Sequence, residues 1–421
     1  MKIQFKGLTV AMIAALSVVA CGKKEESQPA AAPAAPAVPE VVVKLGHVAP
    51  LTGPQGHLGK DNENGARLAV EELNAKALEI GGAKVKFELL SEDDQADPKQ
   101  GTVVAQKLVD AKVNGVIGHL NSGTTIPASK LYSDAGIPQI SGSATNPKYT
   151  DQGFKTAFRV MANDVQQGKV LGEFTTGNLK AKKIAIIDDR TAYGQGLADE
   201  FEKAVKASGG EIVAREFTND KATDFAAILT KIKGKKPEVV FYGGMDAQAG
   251  PMAKQLKTLG IKAKFLGGDG MCTPEFIKLA GDAAADSQYC SLPGMPLDKL
   301  AGGAAFKETF TKRFGGEIQL YAPYVYDAVM VMADSMKRAN SVEPAKYLSE
   351  IPKTDYQGVT AKIGFDEKGD LKGGAISLYQ VKDAKWAYLE TLGGAPAAAP
   401  EAAAPAPAAA PAPVAAPAEK K

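Results

Sequence analysis

Short runs of β-branched and apolar residues alternate along the chain with longer stretches whose apolar positions recur every three or four residues. Val41–Val48 is the first short run, and Val85–Leu90 and Gly115–Gly118 follow it. Between them, Ala66, Ala69, Val70 and Leu73 carry the helical spacing of Asp61–Lys76, and Val103–Val109 belongs to a second helix. That helix has a start signal of its own: Asp97 stands before Pro98, an N-cap acid followed by proline at the first helical position. The same alternation then begins again. Lys183–Ile187, Glu211–Phe217 and Val239–Tyr242 read as strands; Gly194–Ser208 and Thr223–Lys233 read as helices, the latter with Asp224 near its start. Helices near Leu300–Phe314 and Pro323–Arg338, then strands near Ala375–Val381 and Trp386–Glu390, complete one or both sheets. Alternation at this spacing predicts parallel-rich sheets with helices on both faces. The plan occurs twice, so the expected fold class is α/β with two Rossmann-like lobes.

The ends of the chain depart from this pattern. Lys2 and Lys6 form a basic start, and Leu8–Ala20 is an apolar run too short for an ordinary membrane span. Residues 1–20 are therefore expected to be a signal peptide. The run ends in VVAC, and small Ala20 directly before Cys21 resembles a bacterial lipobox, in which Cys21 becomes a lipidated N-terminus anchored to the membrane. The alternative is a plain signal peptide cut near Ala20. Gly22 after the cysteine, by the same resemblance, implies outer-membrane rather than inner-membrane sorting. Residues 21–40 and 393–421 are rich in Ala and Pro, cannot build a packed core, and are expected to be an extended tether and an extended tail.

A chain of 421 residues, 45% hydrophobic and 23% charged, has room for two lobes. Lys and Arg total 50 against 48 acidic residues, and Lys2 and Lys6 are the only charges in the first twenty. The processed chain is formally neutral. That argues against a nucleic-acid partner, because phosphate binding needs a basic excess or patch.

In open α/β sheets, ligands sit beyond the carboxyl ends of the strands. Four loops at such ends carry Gly, Ser and Thr, with a lone carboxylate in each of the last two: VIGHLNSGTTIPAS (116–129), SGSATNP (141–147), YGGMD (242–246) and GGDG (267–270). Composition alone reads such clusters as turns and caps before it reads them as a ligand site. Gly194-x-Gly196 is similar to the start of a dinucleotide loop, but Asp199 occupies the third glycine's place and opposes a pyrophosphate, so no cofactor is expected. EDDQAD (92–97) lacks the spacing of a calcium loop and reads as a strand end and helix cap. His47, His57 and His119 are the only histidines, and none stands in zinc or triad spacing. His119 is expected to pack beside the first loop, and no metal is expected. No nucleophile–base pair emerges, so no enzyme is expected either. Cys272 and Cys290 are an even pair in an exported chain, a candidate disulfide whose Cα separation the sequence leaves open.

Six strings, in order and correctly spaced, carry a resemblance: GARLAVEELNAK (65–76), DDQADPKQ (93–100), the 116–129 loop, DDRTAYGQGLA (188–198), VVFYGG (239–244) and FDEKGDLKG (365–373). From Val41 to Leu392 the chain resembles type I periplasmic binding proteins, specifically the leucine/isoleucine/valine-binding receptors of ABC transporters. The resemblance implies a Venus-flytrap hinge and discontinuous lobes, residues 41–161 with 293–370 and residues 162–292 with 371–392. It implies a monomer that captures an amino acid outside the inner membrane, closes over it and docks on an ABC permease. Ser122 and Thr145 would hold the ligand's carboxylate, Ser143 and Ala144 would offer mainly backbone atoms, and Asp269 would take the ammonium, where many relatives carry Glu. Tyr193 would close over the ligand from across the cleft. Met245 and Leu58 stand where relatives often have aromatics; both are apolar and flexible, which suits an aliphatic side chain but leaves an aromatic amino acid or a small amide open. A ligand sensor of the same fold is the alternative function, and an extracytoplasmic enzyme is a third.

Overall fold

The computed structural model describes residues 38–394. The expected signal peptide, Cys21 and nearly all of the two Ala/Pro-rich segments lie outside those residues. The first sheet contains β1 (Glu40–Ala49), β2 (Glu79–Ile80), β3 (Ala83–Asp93), β4 (Gly115–Gly118), β5 (Gln139–Ser141) and β6 (Ala157–Arg159), in the order β2-β3-β1-β4-β5-β6. Its strands pair in parallel except at the short β2/β3 edge. The second sheet opens with β7 (Lys183–Asp188), β8 (Glu211–Phe217), β9 (Val239–Gly243), β10 (Lys264–Gly267) and β11 (Gln288–Pro293), all parallel. A small hairpin of β12 (Tyr356–Gln357) and β13 (Lys362–Ile363) intervenes before β14 (Ala375–Lys382) and β15 (Lys385–Gly393) add antiparallel to the second sheet. Its order is β15-β14-β11-β10-β9-β7-β8.

Helices α1 (Gly56–Ala75), α2 (Pro98–Asp110), α3 (Ser122–Asp134) and the single turn α4 (Lys148–Asp151) pack with the first sheet. The second sheet carries α5 (Asp164–Glu173), α6 (Ala192–Ala207), α7 (Ala226–Gly234), α8 (Asp246–Thr258) and α9 (Pro274–Ala280). The chain then returns to the first lobe for α10 (Gly303–Phe314), α11 (Ala322–Arg338) and α12 (Pro344–Tyr347). The inner strands explain themselves: β9 is buried along its whole length, as a parallel strand covered on both faces must be. On α6 the buried face is Leu197, Ala198, Phe201 and Val205, with Phe201 stacked on Phe241 of β9 at 4.0 Å between ring centres. Asp97 caps α2 as its sequence signal predicts, accepting from the N–H groups of Lys99 and Gln100 at 2.8 and 3.0 Å. Such a cap stabilises a helix by about 1 kcal/mol.

Two helix starts differ from the reading of periodicity. α1 begins at Gly56 rather than Asp61, because Gly56–Lys60 offers a single large apolar side chain, buried Leu58, which sets no period to read. α7 begins at Ala226 rather than Thr223, with the Asp224 carboxylate accepting from the Ala226 N–H at 2.9 Å.

In each sheet the chain starts at a central strand, steps to one side and then returns to the other. It runs β1, β3, β4 in the first sheet and β7, β8, β9 in the second. The switch points therefore lie between β1 and β4 and between β7 and β9, where such folds open a crevice at the strands' carboxyl ends. The chain passes between the sheets after β6, after β11 and before β14. Two of these crossings are tied together. Fully buried Arg159 donates to Asp370 Oδ1 from Nε at 3.0 Å and from Nη2 at 2.5 Å, while Asn163 Nδ2 donates to Asp370 Oδ2 at 3.0 Å.

Candidate functional site

Both switch points send their helices toward one place. α1 and α3 follow β1 and β4 of the first sheet; α6 and α8 follow β7 and β9 of the second. Ser122 is the first residue of α3, where the opening N–H groups have no partner within the helix. Its Oγ accepts from the backbone N–H of Asn146 at 3.2 Å, which joins the β4 and β5 loops. Asn146 in turn donates from Nδ2 to the carbonyl of Ala192 at 2.5 Å, reaching the start of α6 in the other lobe. Gly196, one turn along α6, lacks a side chain where any Cβ would strike the Asn146 amide. The loop itself is held from behind: Arg159 Nη1 donates to the carbonyls of Ala144 and Asn146 at 2.8 and 2.9 Å. Ser143 Oγ accepts from Asn62 Nδ2 at 3.2 Å, and Asn62 Oδ1 receives His47 Nε2–H at 2.8 Å. Burial draws the His47 imidazole down to about 4, against a smaller opposite pull from that bond, so it serves as a neutral donor.

The acidic side of the site is built by three elements. Asp269 is buried in the turn after β10. Its Oδ1 accepts from Tyr193 OH and its Oδ2 from Tyr321 OH, each at 2.8 Å. Tyr193 belongs to α6 of the second lobe, but Tyr321 stands immediately before α11 of the first, so this carboxylate is gripped from both sides of the cleft. Tyr321 is positioned by Asp61 of α1, whose carboxylate accepts from the N–H groups of Gln319, Leu320, Tyr321 and Ala322 at 2.7 to 3.0 Å. Burial raises the pKa of the Asp269 carboxyl despite the bonds from Tyr193 and Tyr321. Beside it, Asp164 opens α5, fully buried, with neither carboxylate oxygen hydrogen-bonded. Thr145 Oγ1 and Gln167 Oε1 are also buried without a hydrogen-bond partner. The Thr145 hydroxyl, which the resemblance assigned to the ligand's carboxylate, instead lies beside Asp164 on the acidic side, close enough to ease that carboxyl without forming a well-aligned bond. Burial, abetted by the charge of Asp269, pushes that carboxyl up to about 8.

Of the sequence-predicted residues, Ser122, Ser143, Ala144 and Thr145 lie buried on the β4 and β5 loops, Tyr193, Met245 and Asp269 meet around the turn after β10, and Leu58 is buried at the third residue of α1. Met245 Sδ and the Tyr193 ring flank the bare Cα of Gly270, and Leu58, Tyr193, Met245 and Tyr321 belong to one continuous apolar cluster. Sequence reasoning missed Asp164, Gln167, Tyr321, Asn146 and Asp61. Asp164 shows in the sequence only as an acid at a helix start after Asn163, and Tyr321 carries no signal. Other readings resolve simply. Cys272 and Cys290 form a disulfide with Cα atoms 5.4 Å apart, fastening the Asp269 turn to β11. His119 is buried between Asp94 and Tyr132 at 3.1 and 3.0 Å, beside the first loop. Asp93, Asp94 and Asp97 accept turn and cap bonds from neighbouring N–H groups. Among the described residues no group of three or more His, Cys, Asp or Glu is arranged to hold a metal ion. Two surface cavities of about 260 and 450 Å³ lie elsewhere, one beside Thr150–Lys155 and one beside Ala284–Asp286, and neither gathers unpartnered buried groups.

The chain is similar in sequence and fold to proteins already known. The sequence profile of the family described as periplasmic binding protein matches residues 42–385. The Leu/Ile/Val-binding protein homolog 1 of Brucella abortus is 39% identical over 357 residues, covering 83% of this chain and 94% of that protein. The crystal structure of the leucine-binding protein LivK from Thermotoga maritima is 26% identical with a TM-score of 0.77, over 83% of this chain and 98% of the other. The branched-chain amino acid transporter substrate-binding protein LivJ from Streptococcus pneumoniae, solved in complex with isoleucine, is 29% identical with a TM-score of 0.76, over 84% of this chain and all (100%) of the other. On the combined weight of its doubly repeated sheets, its cleft and these likenesses, the chain belongs to the periplasmic binding protein family.

Proposed function

We propose that the chain binds a free branched-chain amino acid between its lobes, outside the cytoplasm, and delivers it unchanged to an ABC permease. The observation that carries this reading is the set of buried acceptors without partners: both oxygens of Asp164, Thr145 Oγ1 and Gln167 Oε1, next to Asp269. Leaving such groups unpaired costs several kcal/mol. A ligand ammonium brings three donors and a positive charge to that spot. The opposite charge suits the other loop, where the Ser122 hydroxyl stands at the N-terminus of α3 and helix ends favour anions. Met245 and Tyr193, which meet beside Gly270, then supply an apolar wall for an aliphatic side chain.

The isoleucine bound by the pneumococcal LivJ and the names of the Brucella relatives support the branched-chain assignment. Strand membership supports closing bodies of residues 41–161 with 293–370 and 162–292 with 371–392. The leader sequence supports export and a lipid anchor at Cys21. A micromolar dissociation constant corresponds to roughly −8 kcal/mol, within reach of a few charge-assisted bonds and one buried aliphatic group. A thermal-shift screen of the twenty amino acids and simple amides tests the reading. Leucine, isoleucine or valine should raise the melting temperature, since a ligand that binds only the native state stabilises it. A screen in which none of them does so overturns it.

A further inference from the structure

One ion pair crosses the cleft without including the carboxylates of the acidic site. His57, in the first turn of α1, has Nε2 2.8 Å from Asp246 Oδ2 in the first turn of α8. One helix follows a strand of the first sheet and the other a strand of the second, so opening the lobes must break this bond. Asp246 is fully buried; its Oδ2 also accepts from Thr273 Oγ1 at 2.6 Å, and its Oδ1 has no partner. Thr273 belongs to the same lobe as Asp246 and would stay with it on opening. The His57 side chain keeps 23% of its surface in solvent, so it can exchange a proton with water while the lobes are closed. The charged groups facing it are Asp246 from α8, Glu275 from α9 and Asp61 from its own helix, all acidic.

We propose that His57 and Asp246 form a proton-operated latch: protonated His57 holds the lobes together, and its loss of a proton loosens them. The inference rests on the proposed closing of the two lobes and not on which amino acid is bound. Its sign follows from linkage. Burial lowers the imidazole's pKa, but the bond to Asp246 and the surrounding acids outweigh it and the net direction is upward in the closed form. Closing therefore takes up a proton. The added stability of the closed form is complete below the ordinary imidazole value of 6.5 and is lost as pH rises through the closed-form value.

The test is an interlobe distance measurement by electron spin resonance on the full chain, with labels on Lys130→Cys and Lys203→Cys, both exposed and one per lobe. In the ligand-free protein the ratio of closed to open molecules should fall by at least about threefold between pH 5.5 and 8.5. Because the buried Asp164 carboxyl titrates in the same window, the comparison is made in an Asp164→Asn background, where that fall should persist and where adding His57→Gln, which keeps a neutral donor, or Asp246→Asn should remove it. A ratio that ignores pH in the Asp164→Asn background, or a fall of the same size after His57→Gln is added to it, overturns the latch. A parallel stopped-flow measurement with L-leucine should show release quickening with pH in the wild type only. If leucine fails to bind at any pH, the amino-acid assignment fails while the ligand-free distances still decide the latch.

Discussion

Asp164 occupies the setting that its chemistry least prefers: a carboxyl with no solvent, no hydrogen bond to either oxygen, and another acid nearby. Its pKa near 8 in the folded chain, against 3.8 ordinarily, has a definite consequence for stability. The folded state holds its proton over a range where the unfolded chain has released it. Asp164 therefore favours the fold at low pH, and that contribution is lost as pH rises from about 4 to about 8. Asp164→Asn should raise the melting temperature of the ligand-free protein at pH 8 and flatten its dependence on pH, as read by calorimetry. The same substitution should weaken leucine binding by about tenfold or more, because a hydrogen bond to a charged group contributes roughly 1.5–3 kcal/mol. Stability gained and affinity lost together would mark a group kept for its ligand. Ser122, Thr145 and Asp269 were legible as site candidates through the family resemblance, since their Gly/Ser-rich strand-end loops alone read as turns and caps. Asp164 was not, since an acid after Asn163 reads as an ordinary helix start. Nor was Tyr321, whose partner is 52 residues away and whose placement depends on Asp61.

Among the elements, the turn that carries Asp269 is the one most dependent on outside support. It is a single helical turn, Asp269–Met271, with its next residue bonded through sulfur to β11. The disulfide closes a loop of 18 residues, for which the chain-entropy estimate is about 3 kcal/mol. The Cys272→Ala/Cys290→Ala double variant should lose about 2–4 kcal/mol in urea unfolding. An unchanged midpoint would mean that the turn is held by packing alone. Elements with a local chemical cause were readable in advance, as with Asp97 and Pro98 at the start of α2. The start of α1 was not, because Gly56–Lys60 holds only one large apolar side chain, Leu58, and carries no cap signal. β5 and β6, three residues each, are too short to show a period.

At the scale of the molecule, the twofold α/β plan was plain from periodicity, whereas the tie between the crossing segments depends on Arg159 and Asp370, separated by 211 residues. Arg159 serves two purposes there: it clamps the crossings and holds the Ala144–Asn146 carbonyls of the ligand loop. Removing one partner of a buried ion pair costs about 3–5 kcal/mol, so Arg159→Met should lower the unfolding free energy by about that amount. Calorimetric unfolding at neutral pH would measure it, and a loss well under 1 kcal/mol, the size of a surface pair, would show that the crossings do not depend on this pair. Above that frame stands the proposal that a zwitterion meets two acids on one side of the cleft and a helix end with hydroxyls on the other. Isothermal titration with L-leucine, isoamylamine and isocaproate tests this most directly, because the last two keep the side chain and only one charge each. The account predicts micromolar binding of leucine and no measurable binding of either analogue. Isocaproate binding as tightly as leucine would contradict it, because Asp164 and Asp269 would then have no ammonium to meet.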